Sequence, residues 1–316
     1  MSIGELRDPR KTFGAAIAAV AEADERVVIL SADSGKSSGF TDFAAKHPDR
    51  YFELGIMEQC ATGVAAGLAT TGKIPVFCAI APFTEVRPYE MVRNDVGYMR
   101  QNVKIAGRNA GISYSDLGST HHSLEDFAVM RMIPGMTVIA PQDPTEIEAA
   151  AQAILAHHGP VYIRFGNDPI PELFEPGEFV IGQARLIREL AAPGRPAVTI
   201  ISTGALTNAA IGAAELLDAA GIDVELLGMP TIWPVDGAAV RASAAKTKRV
   251  FTVEEHYVLG GLGTIVQEVL DGTGVSVTKL GIPHEYATSG PYLQILSSYG
   301  LDAEGITEAI QRSING

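Results

Sequence analysis

Cysteine is scarce: Cys60 and Cys78 are the only two in 316 residues, and they do not form a Cys-x-x-Cys pair. A disulfide-stapled scaffold and a thiolate metal site are poor readings, and a reducing cytoplasm is the expected compartment. Positive charge is short as well, with 24 Lys plus Arg against 37 Asp plus Glu and a formal net charge of −13. The acids are spread along the chain rather than gathered into a tail, so nucleic acid and anionic membrane are poor partners. Long apolar runs are missing too. The alanine-rich stretch 60–71 is too short and too rich in threonine to span a bilayer, and the opening MSIGELRDPRKTF has no signal-peptide core. What is plentiful is hydrophobic sequence in general, at 47%, enough for a sizeable core and two domains of ordinary size.

Short β-branched runs alternate with alanine-rich stretches, the rhythm of parallel βαβ units. A first series predicts strands at 27–31, 74–79, 103–106, 137–140 and 161–164, with helices at 11–23, 57–71, 87–99, 124–132 and 144–157. The last of these opens on the start signal Asp143-Pro144. Between Gly166 and Gly182 the periodicity stops in a stretch carrying Pro169, Pro171 and Pro176, which reads as a linker wrapped on the surface. A second, smaller series predicts strands at 198–202, 223–227, 250–254 and 275–279. Its helices are expected at 206–220, 261–270 and 303–311. The expected division is residues 1–180 and 181–316.

Two segments carry chemistry. In Glu53-Leu-Gly-Ile-Met-Glu-Gln59 a carboxylate, Glu58, stands between an apolar strand end and a helix of small residues. Taken alone it would complement the helix macrodipole. Residues 119–126, Ser-Thr-His-His-Ser-Leu-Glu-Asp, place His121 and His122 in a loop after a strand, where α/β proteins bind ligands. The pair reads as hydrogen-bonding or acid–base groups, or as helix-capping surface residues. No third ligand stands at metal-binding spacing.

Leu54-Gly-Ile-Met-Glu-Gln59, Arg93-Asn-Asp95, Gly118-Ser-Thr-His-His122, Ser123-Leu-Glu-Asp126 through Arg131-Met-Ile-Pro-Gly-Met136, and Pro141-Gln-Asp143 together resemble the pyrimidine-binding domain of transketolases. Glu254-Glu-His256 with Gly260-Gly-Leu-Gly263 resembles their C-terminal domain. The resemblance covers nearly the whole chain in order. It implies an α/β fold in which a thiamine-diphosphate-binding pyrimidine domain with a parallel sheet precedes a smaller α/β domain. The Gly-Asp-Gly by which the family's N-terminal domain holds metal and diphosphate does not occur. The chain therefore resembles the second half of a split transketolase. A separate N-terminal subunit would carry Mg²⁺ or another divalent ion and the diphosphate, in an α2β2 heterotetramer, and this chain alone would be inactive.

Role by role, the resemblance makes Glu58 the carboxylate that hydrogen-bonds N1′ of the aminopyrimidine, and His121 the histidine that touches the donor's hydroxyls. The aromatic positions around the pyrimidine read Ile80, Phe83 and Val86, so one ring is kept of three. Asp33 in Ser31-Ala-Asp33 matches an aspartate on the thiazolium side, or is simply a cap or turn residue. Arg10 and Ser37 match two phosphate contacts. Asn109 and Asn167 replace a histidine and an arginine of the same cluster, and Leu117 replaces an aspartate that reads the acceptor. Lost cations remove charge-assisted contacts and point away from an ordinary sugar phosphate. Two other readings compete: the β subunit of a 2-oxoacid dehydrogenase, and an assembly subunit without turnover. Residues 254–256 receive no catalytic role, and the C-terminal domain is expected to serve mostly in assembly.

Overall fold

The computed structural model describes residues 4–191 and 194–315. Its strands are β1 (Leu6–Arg7), β2 (Val27–Ser31), β3 (Tyr51–Glu53), β4 (Ile74–Ile80), β5 (Lys104–Arg108), β6 (Thr137–Ile139), β7 (Val161–Phe165), β8 (Ile170–Pro171), β9 (Arg185–Arg188), β10 (Ala197–Ser202), β11 (Asp223–Gly228), β12 (Thr231–Trp233), β13 (Arg249–Tyr257) and β14 (Ser276–Ile282). Seven build one sheet in the order β12-β6-β7-β5-β4-β2-β3, and five build a second in the order β14-β13-β10-β11-β9. Neighbours run parallel except β12 on β6 and β9 on β11. This is the mainly parallel α/β architecture that the alternating pattern predicts.

Every residue of β2, β5 and β7 is buried, because helices cover both faces of the sheet. On one face Phe13 and Ile17 of the helix Pro9–Ala23 meet Ile147 and Ile154 of the helix Pro144–Ala156 above Val27, Val76 and Val161. Ala61, Ala65 and Ala66 of the helix Glu58–Thr70 lie on the other face, against Leu30, Phe77 and Ile105. Both helices of the first face begin with a capping aspartate and a proline. Asp8 accepts from the N–H groups of Arg10 and Lys11, and Asp143 accepts from that of Glu146 at 2.7 Å. The parallel register sets Ser31 beside Cys78, Ile80 beside Arg108, and Arg108 beside Phe165. Loops leaving β2, β4, β5 and β7 therefore converge on one rim, the ligand-binding edge of such sheets.

One expectation needs correcting, and two features go beyond the sequence pattern. The helix expected over 87–99 is interrupted near its start: Pro88 disfavours a helical conformation at Arg87, and the chain then makes a turn at Tyr89–Met91 and a π-helix at Val92–Tyr98. Arg87 is thus left on a loop, its N–H on the carbonyl of Pro82. The linker runs along the surface, with residues 175–178 exposed, and is tied down at several points. β8 pairs antiparallel with β1, the N–H groups of Leu173 and Phe174 donate to Asp143 Oδ2 at 2.8 and 2.9 Å, and Pro171 and Phe179 are buried. Finally, β12 comes from the second half of the chain yet joins the first sheet, with Thr231 opposite Ile139.

Candidate active site

Glu58 is the first residue of its helix and only 3% exposed. Its Oε1 accepts from Arg87 Nη1 at 2.6 Å, and the Arg87 guanidinium carbon stands 3.7 Å from the centroid of the Phe83 ring. Phe83 sits in a short helix, Ala81–Thr84, at the carboxyl end of β4. Its ring meets His121 edge-on at 5.2 Å, and His121 meets Tyr114 in the same way at 5.6 Å. Glu58, Phe83 and His121, drawn from three separate motifs, thus form one continuous patch with Arg87 at its centre.

The loop bearing His121 is held from beneath. Gly111 and Ser123 pair across its neck, and Gly111 has φ +66°. Only glycine fits there, since a Cβ would collide with the Glu255 carboxylate. Glu255 Oε1 accepts the Ile112 N–H at 2.7 Å, and its Oε2 accepts the Tyr292 hydroxyl at 2.9 Å. Ser123 Oγ donates to Glu85 Oε1 at 2.7 Å. Glu85 is wholly buried, and burial, with Asp126 and Glu125 nearby, raises its pKa well above the ordinary carboxylate value. At the tip Ser119 Oγ donates to the carbonyl of Ala287, and the Gly290 N–H to that of Ser115. His122, within this loop, is buried, and burial, then the neighbouring His121, lowers its pKa. The C-terminal domain therefore shapes the loop, beyond the assembly role expected for it.

Farther along the rim, Arg10 Nη1 and Asn109 Nδ2 both donate to Asn167 Oδ1, at 2.7 and 2.9 Å, and Arg108 Nη1 donates to Asn109 Oδ1 at 2.9 Å. Arg10 is also paired with Asp8 at 2.9 Å. Burial would raise the Asp8 carboxyl, but the Arg10 bonds and charge outweigh it and hold its pKa below the usual range. Asp168 lies close by, its pKa pushed up by burial against the opposing charge of Arg10. The substitutions that looked like losses from a cationic cluster form one hydrogen-bonded group in which Arg10, its side chain 25% exposed, already has an anion, and Arg108 is buried against Asn109.

Other sequence-selected residues are less engaged. Ile80 ends β4, and Val86 is 41% exposed on the loop beyond the Phe83 helix, so the two do not share one element with Phe83. Asp33 is exposed with φ +55°, and its N–H donates to Glu53 Oε1 at 2.6 Å. Ser37 is exposed, and its hydroxyl donates to the carbonyl of Ser34. Leu117 is 48% exposed in the 3₁₀ segment Ser115–Thr120. Arg87 and Glu255 are not among the residues expected at the site. The Pro88 that sets Arg87 outside the helix is the available signal for the first.

Residues 7–170 match the transketolase pyrimidine-binding domain, and residues 189–306 the transketolase C-terminal domain. The chain belongs to the transketolase family. It is 39% identical over 299 residues to one of the subunits of the apulose-4-phosphate transketolase of Phocaeicola vulgatus, across 94% of each chain. It is 38% identical to the 6-deoxy-6-sulfo-D-fructose transketolase subunit SqwH of a Clostridium species, across 95% of this chain and 92% of that one. A solved split gene transketolase, an inactive β4 tetramer, shares the fold with a TM-score of 0.89 at 36% identity, across 98% of each chain. Among the described residues of this transketolase-family chain, no helix is long and apolar enough to cross a membrane. No group of three His, Cys, Asp or Glu side chains there could hold a metal ion. Both cysteines are free, Cys60 exposed and Cys78 buried, and burial pushes the Cys78 thiol up to about 11.

Glu255 gives the loop a pH dependence. Burial pushes its carboxyl up to about 7, against the opposing charge of Arg164 and the hydrogen bonds from Tyr292 and Ile112. A raised folded-state pKa contributes stability that is full below the unfolded value, near 4.5, and is lost as pH rises through 7. Glu255→Gln is expected to remove this component, on the order of 3 kcal/mol. Urea unfolding between pH 4.5 and 7.5 checks it, with a flatter profile for the variant; parallel profiles would contradict it.

Proposed function

We propose that this chain is the member of a two-subunit, thiamine-diphosphate-dependent transketolase that carries the pyrimidine-binding and C-terminal domains, divided near residue 180. Relatives that are themselves transketolase subunits support the reading. The observation that carries it is a buried carboxylate, Glu58, facing a half-exposed guanidinium beside Phe83 and His121. These residues fit the cofactor's aminopyrimidine, because the patch already holds a planar N–H donor against both a carboxylate and a ring face.

When bound, thiamine diphosphate supplies the carbanion chemistry that breaks and remakes a ketose carbon–carbon bond. Glu58 holds a proton at the ring nitrogen N1′. Phe83, flanked by Ile80 and Val86, supplies the apolar wall, with Asp33 on the thiazolium side. His121, on a loop braced at neck and tip, hydrogen-bonds the hydroxyls of the ketose. Arg10, Ser37, Asn109, Asn167 and Leu117 line the far end of the substrate. Mg²⁺ or another divalent ion and the diphosphate site come from a partner chain, the N-terminal transketolase subunit, in an α2β2 assembly. The reducing cytoplasm remains the compartment that two free cysteines favour.

The far end argues for atypical anion recognition, with Arg108 the one cation of the group not already paired with a carboxylate. Arg10 is committed to Asp8, two asparagines stand where the family has cations, and Asp168 shares the neighbourhood. Ketol transfer by the complex with its partner subunit is expected to favour an unphosphorylated ketose over its phosphate ester by about tenfold or more in kcat/KM, the effect of one charge-assisted contact. The chain without the partner is expected to transfer nothing. Preference for the ester would overturn the anion argument. Decarboxylation of a 2-oxoacid without transfer would move the protein to the dehydrogenase reading.

A further inference from the structure

The central contact of the site is one that the family resemblance did not anticipate. Glu58 is almost removed from water, and a buried carboxylate without a partner carries a heavy desolvation cost. Its partner in this chain is Arg87, at 2.6 Å, whose guanidinium also lies over the Phe83 ring. A guanidinium is planar, delocalised, and offers N–H donors in its plane and a π-face above it. A protonated aminopyrimidine offers the same. Arg87 thus makes, from within the chain, the two contacts that the functional reading assigns to the cofactor: an N–H to Glu58 and a face to Phe83.

Arg87 is also placed to leave. It lies outside any helix because of Pro88, and its side chain is 36% exposed while that of Glu58 is 4% exposed. Withdrawal returns a guanidinium to water and passes the carboxylate from one charge-assisted hydrogen bond to another, so the exchange costs little if a planar N–H donor arrives as it leaves.

We propose that Arg87 is a placeholder for the aminopyrimidine. It satisfies Glu58 and covers Phe83 while the site lacks cofactor, and thiamine diphosphate binds by displacing it. The inference rests on the proposed function, since it needs Glu58 to meet the pyrimidine. It follows that part of the cofactor's intrinsic affinity is masked, because the seat is open in only a fraction of molecules. If that fraction is about one tenth, the apparent affinity is weaker by about tenfold.

The test is equilibrium binding of thiamine diphosphate, with Mg²⁺, to the cofactor-stripped complex of this chain with its partner subunit. Native protein is compared with Arg87→Ala, Arg87→Gln, Glu58→Gln and the double variant R87A/E58Q. Arg87→Gln keeps the stem, so the test survives if the alanine variant folds poorly. Arg87→Ala is expected to tighten binding about tenfold, Glu58→Gln to weaken it, and Arg87→Ala to give no gain in the E58Q background, where Arg87 has lost its anchor. Unchanged or weaker binding by both Arg87 variants, with Glu58→Gln still weakened, overturns the placeholder alone. If Glu58→Gln binds as tightly as the native complex, Glu58 does not meet the pyrimidine and the functional reading itself fails.

Discussion

Glu58→Gln is expected to lower ketol transfer by the two-subunit complex about 10²–10⁴-fold, the range for loss of a positioned acid–base group. Glutamine preserves the shape of the side chain without the charge that anchors Arg87. It cannot carry the negative charge that holds a proton at a ring nitrogen, so the effect should appear in kcat as well as in cofactor affinity. The helix should persist, since Thr62 Oγ1 bonds the Glu58 backbone carbonyl, and alanines 61 and 65 make its buried contacts. Steady-state kinetics at saturating cofactor, beside a thermal melt, separate chemistry from unfolding. A native-like kcat would remove Glu58 from the catalytic assignment.

The largest expected effect on stability lies beneath the substrate loop. Asp126 is fully buried and paired with Arg164 Nη1 at 2.7 Å, and its Oδ2 accepts the Tyr162 hydroxyl at 2.9 Å. Arg164, also buried, packs its guanidinium 4.0 Å from the Phe127 ring centroid and donates to the carbonyl of Glu255 at 2.8 Å. Removing one member of such a pair strands the other charge out of water. Asp126→Ala is therefore expected to destabilise the chain by about 3–5 kcal/mol, read from chemical denaturation. A loss below about 1 kcal/mol would mean that the guanidinium finds another anion, with Glu255, whose carbonyl it already holds, a candidate.

The parts of this protein legible in its sequence are those governed by local pattern. The buried Val-Val-Ile-Leu-Ser run and the aspartate–proline start at residue 143 carry their own signals, and both appear where expected. Glu58 and His121 stand in separate motifs, and the sheet brings them to one rim. Asn109 and Asn167 read in sequence as two independent losses, and their shared hydrogen bond depends on β5 and β7 being parallel neighbours. What stayed hidden depends on tertiary placement. Arg87 has a local signal in Pro88, but its contact with Glu58 crosses 29 positions of chain. The contact from Glu255 to Ile112 spans 143 positions of chain, and no local period encodes it. Thr231–Trp233 is three residues long, too short for an alternating pattern to register.

That last strand has a consequence for synthesis. β6 has β7 on one side, and on the other its edge is closed by β12, which lies beyond the linker and beyond three strands of the second sheet. A nascent chain emerging from the ribosome therefore reaches β7 with Thr137–Ile139 still open, and the edge stays available to other chains until Thr231–Trp233 has been made. The first domain is complete in sequence long before it is complete in structure, and the interval between the two is when the growing chain is most exposed to mispairing.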